Sequence, residues 1–255
     1  MKDELAAFFA AVRFFTRIPV PAWVGHSQDQ LDRAARYFPL VGWIVGAIGA
    51  AVTEGASILL PSSVAILLGM AATLLATGAF HEDGLADACD GFGGGWDREQ
   101  VLRIMKDSRI GSYGALAIGM ALLVKFHALS EIDALTEPPG LALALVAGHA
   151  ASRLAPVIVM RWLAYARDDE SGKSKPLAQS IGNGGLALAA ILALLPCAML
   201  APVVMAWGIG GVLLVAALAI RYFRRRLGGY TGDCLGATQQ VAEIAFYLGL
   251  LCAFT

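Results

Sequence analysis

Charge is what this sequence has least of. Asp, Glu, Lys and Arg make up 15% of its 255 residues, against roughly 25% in soluble globular domains. The few charges show no bias in sign: 19 basic and 20 acidic residues leave a net charge of −1. That removes the basic excess on which nucleic-acid binding rests. Four cysteines, Cys89, Cys197, Cys234 and Cys252, lie too far apart for a disulfide ladder or a zinc-type CxxC pair. The first thirty residues lack a signal-peptide layout, because Asp3, Glu4, Arg13 and Arg17 interrupt the apolar stretch. Apolar residues fill the space instead, at 58% of the chain with a mean hydropathy of +0.66. Disorder needs the opposite composition, so a polytopic membrane protein remains.

A membrane-crossing helix needs about 20 mostly apolar residues. Such runs fall near 38–60, 63–80, 112–128, 140–160, 185–201, 203–220 and 236–254. They predict an all-α transmembrane bundle of about seven spans forming one integral membrane domain, 1–255. Pro196 and Pro202 must then supply a tight turn between the fifth and sixth spans. Residues 3–18, charged at both ends, read as an amphipathic helix on the membrane surface. Basic residues test the count, since cytoplasmic loops hold the Lys and Arg excess. They cluster before span one and after spans two, four and six, while the loops near Pro61, 131–140 and Pro202 have none. The map puts the N-terminus inside and the C-terminus outside. Gly42, Gly46 and Gly49 predict close packing of span one, because small residues let helices approach in lipid.

The chemistry concentrates in His81-Glu-Asp-Gly-Leu-Ala-Asp-Ala-Cys-Asp-Gly91. On a helix, Asp83, Asp87 and Asp90 stand at i, i+4 and i+7 and share one face, where like charges repel. A divalent cation relieves that repulsion, and oxygen-only ligands select Mg²⁺ or Mn²⁺ over zinc. Glu82, about 100° away by helical periodicity, is placed to reach a second ion or a water. The same repulsion predicts that Asp87→Asn or Asp90→Asn leaves folding intact. Down-chain, Lys106-Asp-Ser-Arg-Ile-Gly-Ser-Tyr-Gly114 supplies cations, hydroxyls and glycines suited to phosphate. Metal and phosphate sites this close together are what phosphoryl-type transfer requires. Gly172-Lys-Ser174 is no P-loop, as Arg167 occupies the upstream glycine position. The arginines of residues 221–226 read as an anchor for anionic lipid. Within the spans, Glu54, Arg153 and Glu243 need interior partners, with Glu243 the candidate for Arg153. His127 and His149 read as core histidines.

The acidic motif, together with Arg13-Phe-Phe-Thr-Arg-Ile-Pro19, the Lys106–Gly114 segment and Gly229-Tyr-Thr-Gly-Asp233, resembles the cobalamin synthase family over nearly the whole chain. Members are adenosylcobinamide-GDP ribazoletransferases of the bacterial inner membrane. The resemblance implies attack by α-ribazole, or its 5′-phosphate, on the activated phosphate of adenosylcobinamide-GDP. GMP leaves, adenosylcobalamin or its phosphate forms, and Mg²⁺ is required. On this reading Glu82, Asp83, Asp87 and Asp90 are the expected metal ligands, and Asp83 and Asp107 the catalytic carboxylates. His81, Arg13, Arg17, Lys106, Ser108, Arg109 and Asp233 are the expected substrate contacts. The site faces the cytoplasm, membrane lipid surrounds the protein, and self-association is left open. A looser likeness to the CDP-alcohol phosphotransferases rests on Asp87-x-x-Asp90-Gly91 and Gly93-x-x-x-Asp97. It breaks at Val101, where that signature has its last Asp.

Two rivals stand beside this reading: a cation-coupled transporter and a phospholipid-making CDP-alcohol phosphotransferase. Transporter sites usually lie near the midplane on broken helices, whereas these carboxylates fall at the cytoplasmic rim. The charge map yields a direct test. Cysteine probes at residues 130–136 should label only from the periplasmic side, and probes at 171–174 only from the cytoplasm. Labelling of both from one side means the span count between them is wrong.

Overall fold

In the computed structural model, residues 2–25, 28–166 and 181–254 are described. The loop with Arg167, Lys173 and Lys175, and the rejected Gly172-Lys-Ser174, lie outside them. The described residues are mainly helical, with one isolated bridge between Tyr165 and Tyr230 and no strand among them. In chain order the helices are α1 (Lys2–Phe15), α2 (Gln28–Ala34), α3 (Phe38–Ser57), α4 (Ser62–Thr77), α5 (Phe80–Gly94) and α6 (Arg98–Ile104). They continue with α7 (Ser112–Leu135), α8 (Gly140–Ser152), α9 (Leu154–Trp162), α10 (Asn183–Cys197), α11 (Pro202–Leu227) and α12 (Gly232–Cys252).

Helices occupy all seven expected span positions, yet they are not alike. Four stretches, Gln30–Ser57, Ser112–Leu135, Gly140–Trp162 and Pro202–Leu227, are long and apolar enough to cross a membrane. A fifth exists only if α4 and α5 count together across their 85° bend. The α10 helix is apolar but has 15 residues, and α12 carries Gln239, Gln240 and Glu243 inward. Span length and polarity therefore do not travel together here. The N-terminal helix forms as expected, but its small face, Ala7, Ala10, Ala11 and Val12, is buried against the protein. Glu4 ties it to Arg36 at 3.0 Å and accepts from the Tyr37 hydroxyl at 2.6 Å.

Glycine sets how closely the central helices approach. A side chain at Gly42 would overlap the His149 carbonyl, and one at Gly46 would lie 2.7 Å from Val146 Cα. The spacing read in the sequence thus seats α3 backbone-to-backbone on α8. Gly84 and Gly236 do the same for α5 and α12: a Cβ on Gly84 would meet Gly236 Cα at 3.2 Å. Between α4 and α5, Gly78 takes a left-handed conformation (φ 67°) and closes α4 through its N–H to the Leu74 carbonyl, a usual helix ending. Ala79 is left-handed too (φ 57°), a strained choice for an L residue that costs about 1–3 kcal/mol. Two such residues in succession swing the chain sharply and start the acidic helix.

One end of the bundle holds the arginines together with most of the carboxylates, and the other has acidic residues without a Lys or Arg among them. At one end Arg98 donates to the carbonyls of Leu227 (3.0 Å) and Ala166, and Arg226 to Gly95 (2.7 Å). At the other, Glu54 and Asp133 line a cavity of about 310 Å³ with Thr53 and Thr136. Close packing at Gly42 makes a prediction. Gly42→Ala should lower stability by about 1–3 kcal/mol through overpacking. Gly119→Ala, where a Cβ meets nothing within 4 Å, should be neutral or better. Thermal unfolding of the two purified variants measures the difference, and equal stability would contradict the packing.

Candidate functional site at the acidic helix

The acidic helix α5 packs between α7 and α12 and touches α6, which brings it against the segments on either side of Lys106–Gly114 and Gly229–Asp233. At its start, His81 is 4% exposed and stacks on Phe15 with ring centroids 5.1 Å apart. Arg17 donates its backbone N–H to Ala76 at 2.8 Å, and its guanidinium lies over Gly78 at the bend. Arg13 holds the carbonyls of Val24 (3.0 Å) and Gly25 (2.6 Å), which folds the following loop back onto α1. Asp233 sits in the first turn of α12, and its backbone faces Gly84 across the close contact. The cap of α12 itself is Thr231, whose hydroxyl oxygen accepts from the Cys234 N–H at 3.2 Å.

Along α5 the three aspartates differ in setting. Asp83 is exposed, Asp87 half-buried and Asp90 buried. Asp90 accepts the N–H of Gly111 at 2.7 Å and of Gly114 at 2.8 Å, one on each oxygen. It therefore caps α7 from a neighbouring helix, where an anion also favours the positive end of the helix dipole. Gly111 and Gly114 leave room for the carboxylate, since a side chain on either would overlap it. Asn cannot accept at both oxygens, so Asp90→Asn disturbs this cap as well as the charge. Unlike the repulsion argument, the structure thus gives that substitution a folding cost. Among the described residues, no three His, Cys, Asp or Glu side chains converge to hold a metal ion.

The loop after α6 is fastened to α5 at both ends. Met105 packs over Gly91, and Gly111 binds Asp90. Lys106, Asp107, Ser108 and Arg109 are thereby held beside the acidic helix. Lys106, Ser108 and Arg109 are exposed. Arg109 donates to both carboxylate oxygens of Asp107, with Nη2 to Oδ2 at 2.6 Å and Nε to Oδ1 at 3.0 Å. These bonds hold the Asp107 carboxyl at about 2, below the ordinary 3.8. Asp97, noted for its place in the looser likeness, caps α6 by accepting the Gln100 N–H at 2.9 Å.

Deeper in, the start of α5 faces a polar network that composition did not disclose. Lys125 of α7 pairs with Glu243 of α12 at 3.1 Å, with side chains 8% and 1% exposed. Glu243 also accepts from Gln239 (2.9 Å) and lies 3.6 Å from His149. Gln239 reaches Ser152, and Lys125 reaches Gln240. Arg153 donates to the His149 carbonyl at 2.8 Å rather than to Glu243, and its Nε is buried without a partner. Glu82 interacts electrostatically with Lys125, Arg153 and Glu243, and its Oε2 is likewise buried without one. The expected Arg153–Glu243 pair is thus replaced by Lys125–Glu243. Lys125 could have been suspected, as a lone lysine in an apolar run demands a partner. His149 is a core histidine as expected, but His127 is exposed.

Fold and site together define a polytopic membrane protein whose acidic helix gathers basic, hydroxyl-bearing and glycine-rich loops at the basic end of the bundle. The family model for cobalamin-5-phosphate synthase matches residues 7–251. A Ralstonia nicotianae protein described as adenosylcobinamide-GDP ribazoletransferase is 51% identical, covering 100% of this chain and 98% of its own. Proteins of the same description from Leptothrix cholodnii and Shewanella frigidimarina are each 49% identical over 97% of this chain, covering 96% and 95% of theirs. No solved structure matches. This chain belongs to the cobalamin-5-phosphate synthase family.

The Asp107–Arg109 pair has a defined pH signature. A carboxyl depressed in the fold contributes fully above the ordinary carboxylate range, about pH 4, and loses its contribution as the pH falls towards 2. Carbon-detected titration of Asp107 should show a midpoint near 2 in the native chain. In Arg109→Gln it should rise towards about 3.9. An unmoved midpoint means the pair does not exist in solution.

Proposed function

We propose that the chain joins α-ribazole, or its 5′-phosphate, to adenosylcobinamide-GDP and releases GMP, giving adenosylcobalamin or its 5′-phosphate. The observation that carries this is the near-full-length match to proteins described as adenosylcobinamide-GDP ribazoletransferases. Neither transport nor phospholipid synthesis is favoured by it. In the reaction a hydroxyl oxygen of α-ribazole forms a new P–O bond, its proton leaves, and the bond to GMP breaks.

The arrangement around α5 suits that chemistry. Mg²⁺ is usually held by one or two carboxylates together with substrate phosphates, not by a complete protein cage. Asp83 and Asp87, one turn apart towards the open side, fit such a shared site, with Glu82 behind them. The ion would supply charge neutralisation at the phosphates. Asp90 acts as a positioning residue, fixing the glycine loop and α7 against α5. Lys106, Ser108 and Arg109 meet the pyrophosphate. As long as Arg109 grips Asp107, that carboxylate is a weak base. Once the guanidinium turns to a phosphate, Asp107 is freed to take the attacking hydroxyl's proton. His81, Arg13, Arg17 and Asp233 shape the substrate's approach at the other end of α5. We place this end at the cytoplasmic face of the bacterial inner membrane, in agreement with its basic residues, and read the bundle as seven spans.

Product formation by the purified protein, followed as GMP release, tests the assignment. Asp83→Asn and Asp87→Asn should each lower turnover by orders of magnitude at ordinary Mg²⁺. Arg109→Lys, which loses bidentate geometry but keeps charge, should cost about 10- to 100-fold in kcat/KM for the corrinoid substrate. KM for α-ribazole should barely move. Full turnover in both Asn variants removes the metal reading, and wild-type constants in the Lys variant remove the phosphate contact.

A further inference from the structure

On the face of α5 opposite its aspartates, Leu85, Ala88, Cys89 and Phe92 form the floor of a cleft of about 890 Å³. Helix periodicity separates this stripe from Asp83 and Asp87 by about half a turn, so the cleft is distinct from the acidic face. Its walls are α7 and α11, both packed on α12. Leu116 and Met120 on one wall and Leu218 on the other are all more than half exposed. In a bilayer this opening faces acyl chains. Its rim is not apolar. Arg221 and Arg225, one turn apart on α11, close the end nearest the basic loops.

The arginines of residues 221–226 do not act alike. Arg226 is held by the Gly95 carbonyl and by the rings of Phe92 and Tyr222, and Arg224 reaches the Trp162 carbonyl at 3.5 Å. Arg221 and Arg225 are exposed and have no hydrogen-bond or ion-pair partner among the described residues. We infer that the cleft between α7 and α11 is a binding site for one anionic phospholipid, its acyl chains in the cleft and its phosphate between Arg221 and Arg225. An apolar cavity open to the hydrocarbon and bounded by two exposed cations matches that molecule in both shape and charge. The cleft's floor is the reverse side of the catalytic helix of the proposed function, so an occupied cleft would brace α5. The binding claim itself stands without the enzyme assignment.

Cys89, half-buried on the floor, reports occupancy without any activity assay. The detergent-purified full chain is titrated with phosphatidylglycerol or phosphatidylcholine, and maleimide modification of Cys89 is read by peptide mass. Phosphatidylglycerol should protect the thiol at roughly 30-fold lower concentration, the preference two arginines near an anionic headgroup provide. Arg221→Gln/Arg225→Gln, both exposed changes that leave the fold alone, should abolish the preference, and the double Lys variant should keep it. Equal protection by the two lipids, or an unchanged preference in the Gln variant, overturns the inference. So does protection by α-ribazole with none by either lipid, which would assign the cleft to the substrate's apolar base.

Discussion

A buried carboxylate inside an apolar bundle is the constraint to which the rest of this structure answers. Glu243 is almost fully enclosed and has Lys125, His149, Gln239 and Tyr247 around it. Removing a charge from water is costly unless pairing and hydrogen bonds replace the lost hydration. The replacement comes from three helices, α7, α8 and α12, whose positions must agree for Glu243 to be satisfied. Small residues make the agreement possible, because Gly42, Gly46 and Gly148 let α3 and Tyr247 close in on α8. Packing and electrostatics are therefore one problem here: a bulky residue at the crossings would pull the network apart.

From this network outward, α5 inherits its position. Its first turn brings Glu82 and His81 within electrostatic reach of the buried charges. Gly84 seats it on α12, and Asp90 fastens it to α7 and the glycine loop. The sharp bend at Gly78 and Ala79 lets a polar helix begin directly where an apolar one ends. Without it, the aspartates would continue along the axis of α4. The site is thus a helix fixed on several sides, with the Lys106–Arg109 loop fastened beside it. Rigid placement of carboxylates and an exposed, paired arginine next to them is a sensible division for binding a large charged substrate.

Much of this could be read from residue order alone. Apolar runs mark the seven helical positions, the i, i+4, i+7 spacing marks the carboxylate face, and glycine spacing marks α3 as closely packed without naming α8 as its partner. What stayed hidden depended on tertiary neighbours. Asp90 reads as one of three equivalent aspartates until Gly111 and Gly114, more than twenty residues later, turn out to donate to it. The four arginines of residues 221–226 look interchangeable, although two bind protein carbonyls and two line a cleft. Lys125 stands in the sequence as one charge in a long apolar helix, and Glu243 reads as the partner of Arg153, because nothing linear ties position 125 to 243. Periodicity reports which face a residue occupies, but not what waits opposite.

The dependence of the structure on the Glu243–Lys125 pair is most directly tested by a double-mutant cycle. Glu243→Gln, Lys125→Met and the double variant would be compared by unfolding in lipid nanodiscs. Removing one member of a buried pair strands the other and should cost about 3–5 kcal/mol, whereas removing both should cost far less than the sum. A double variant much more stable than additivity allows is the result this account predicts. Strictly additive losses, or single variants as stable as the native chain, would contradict it.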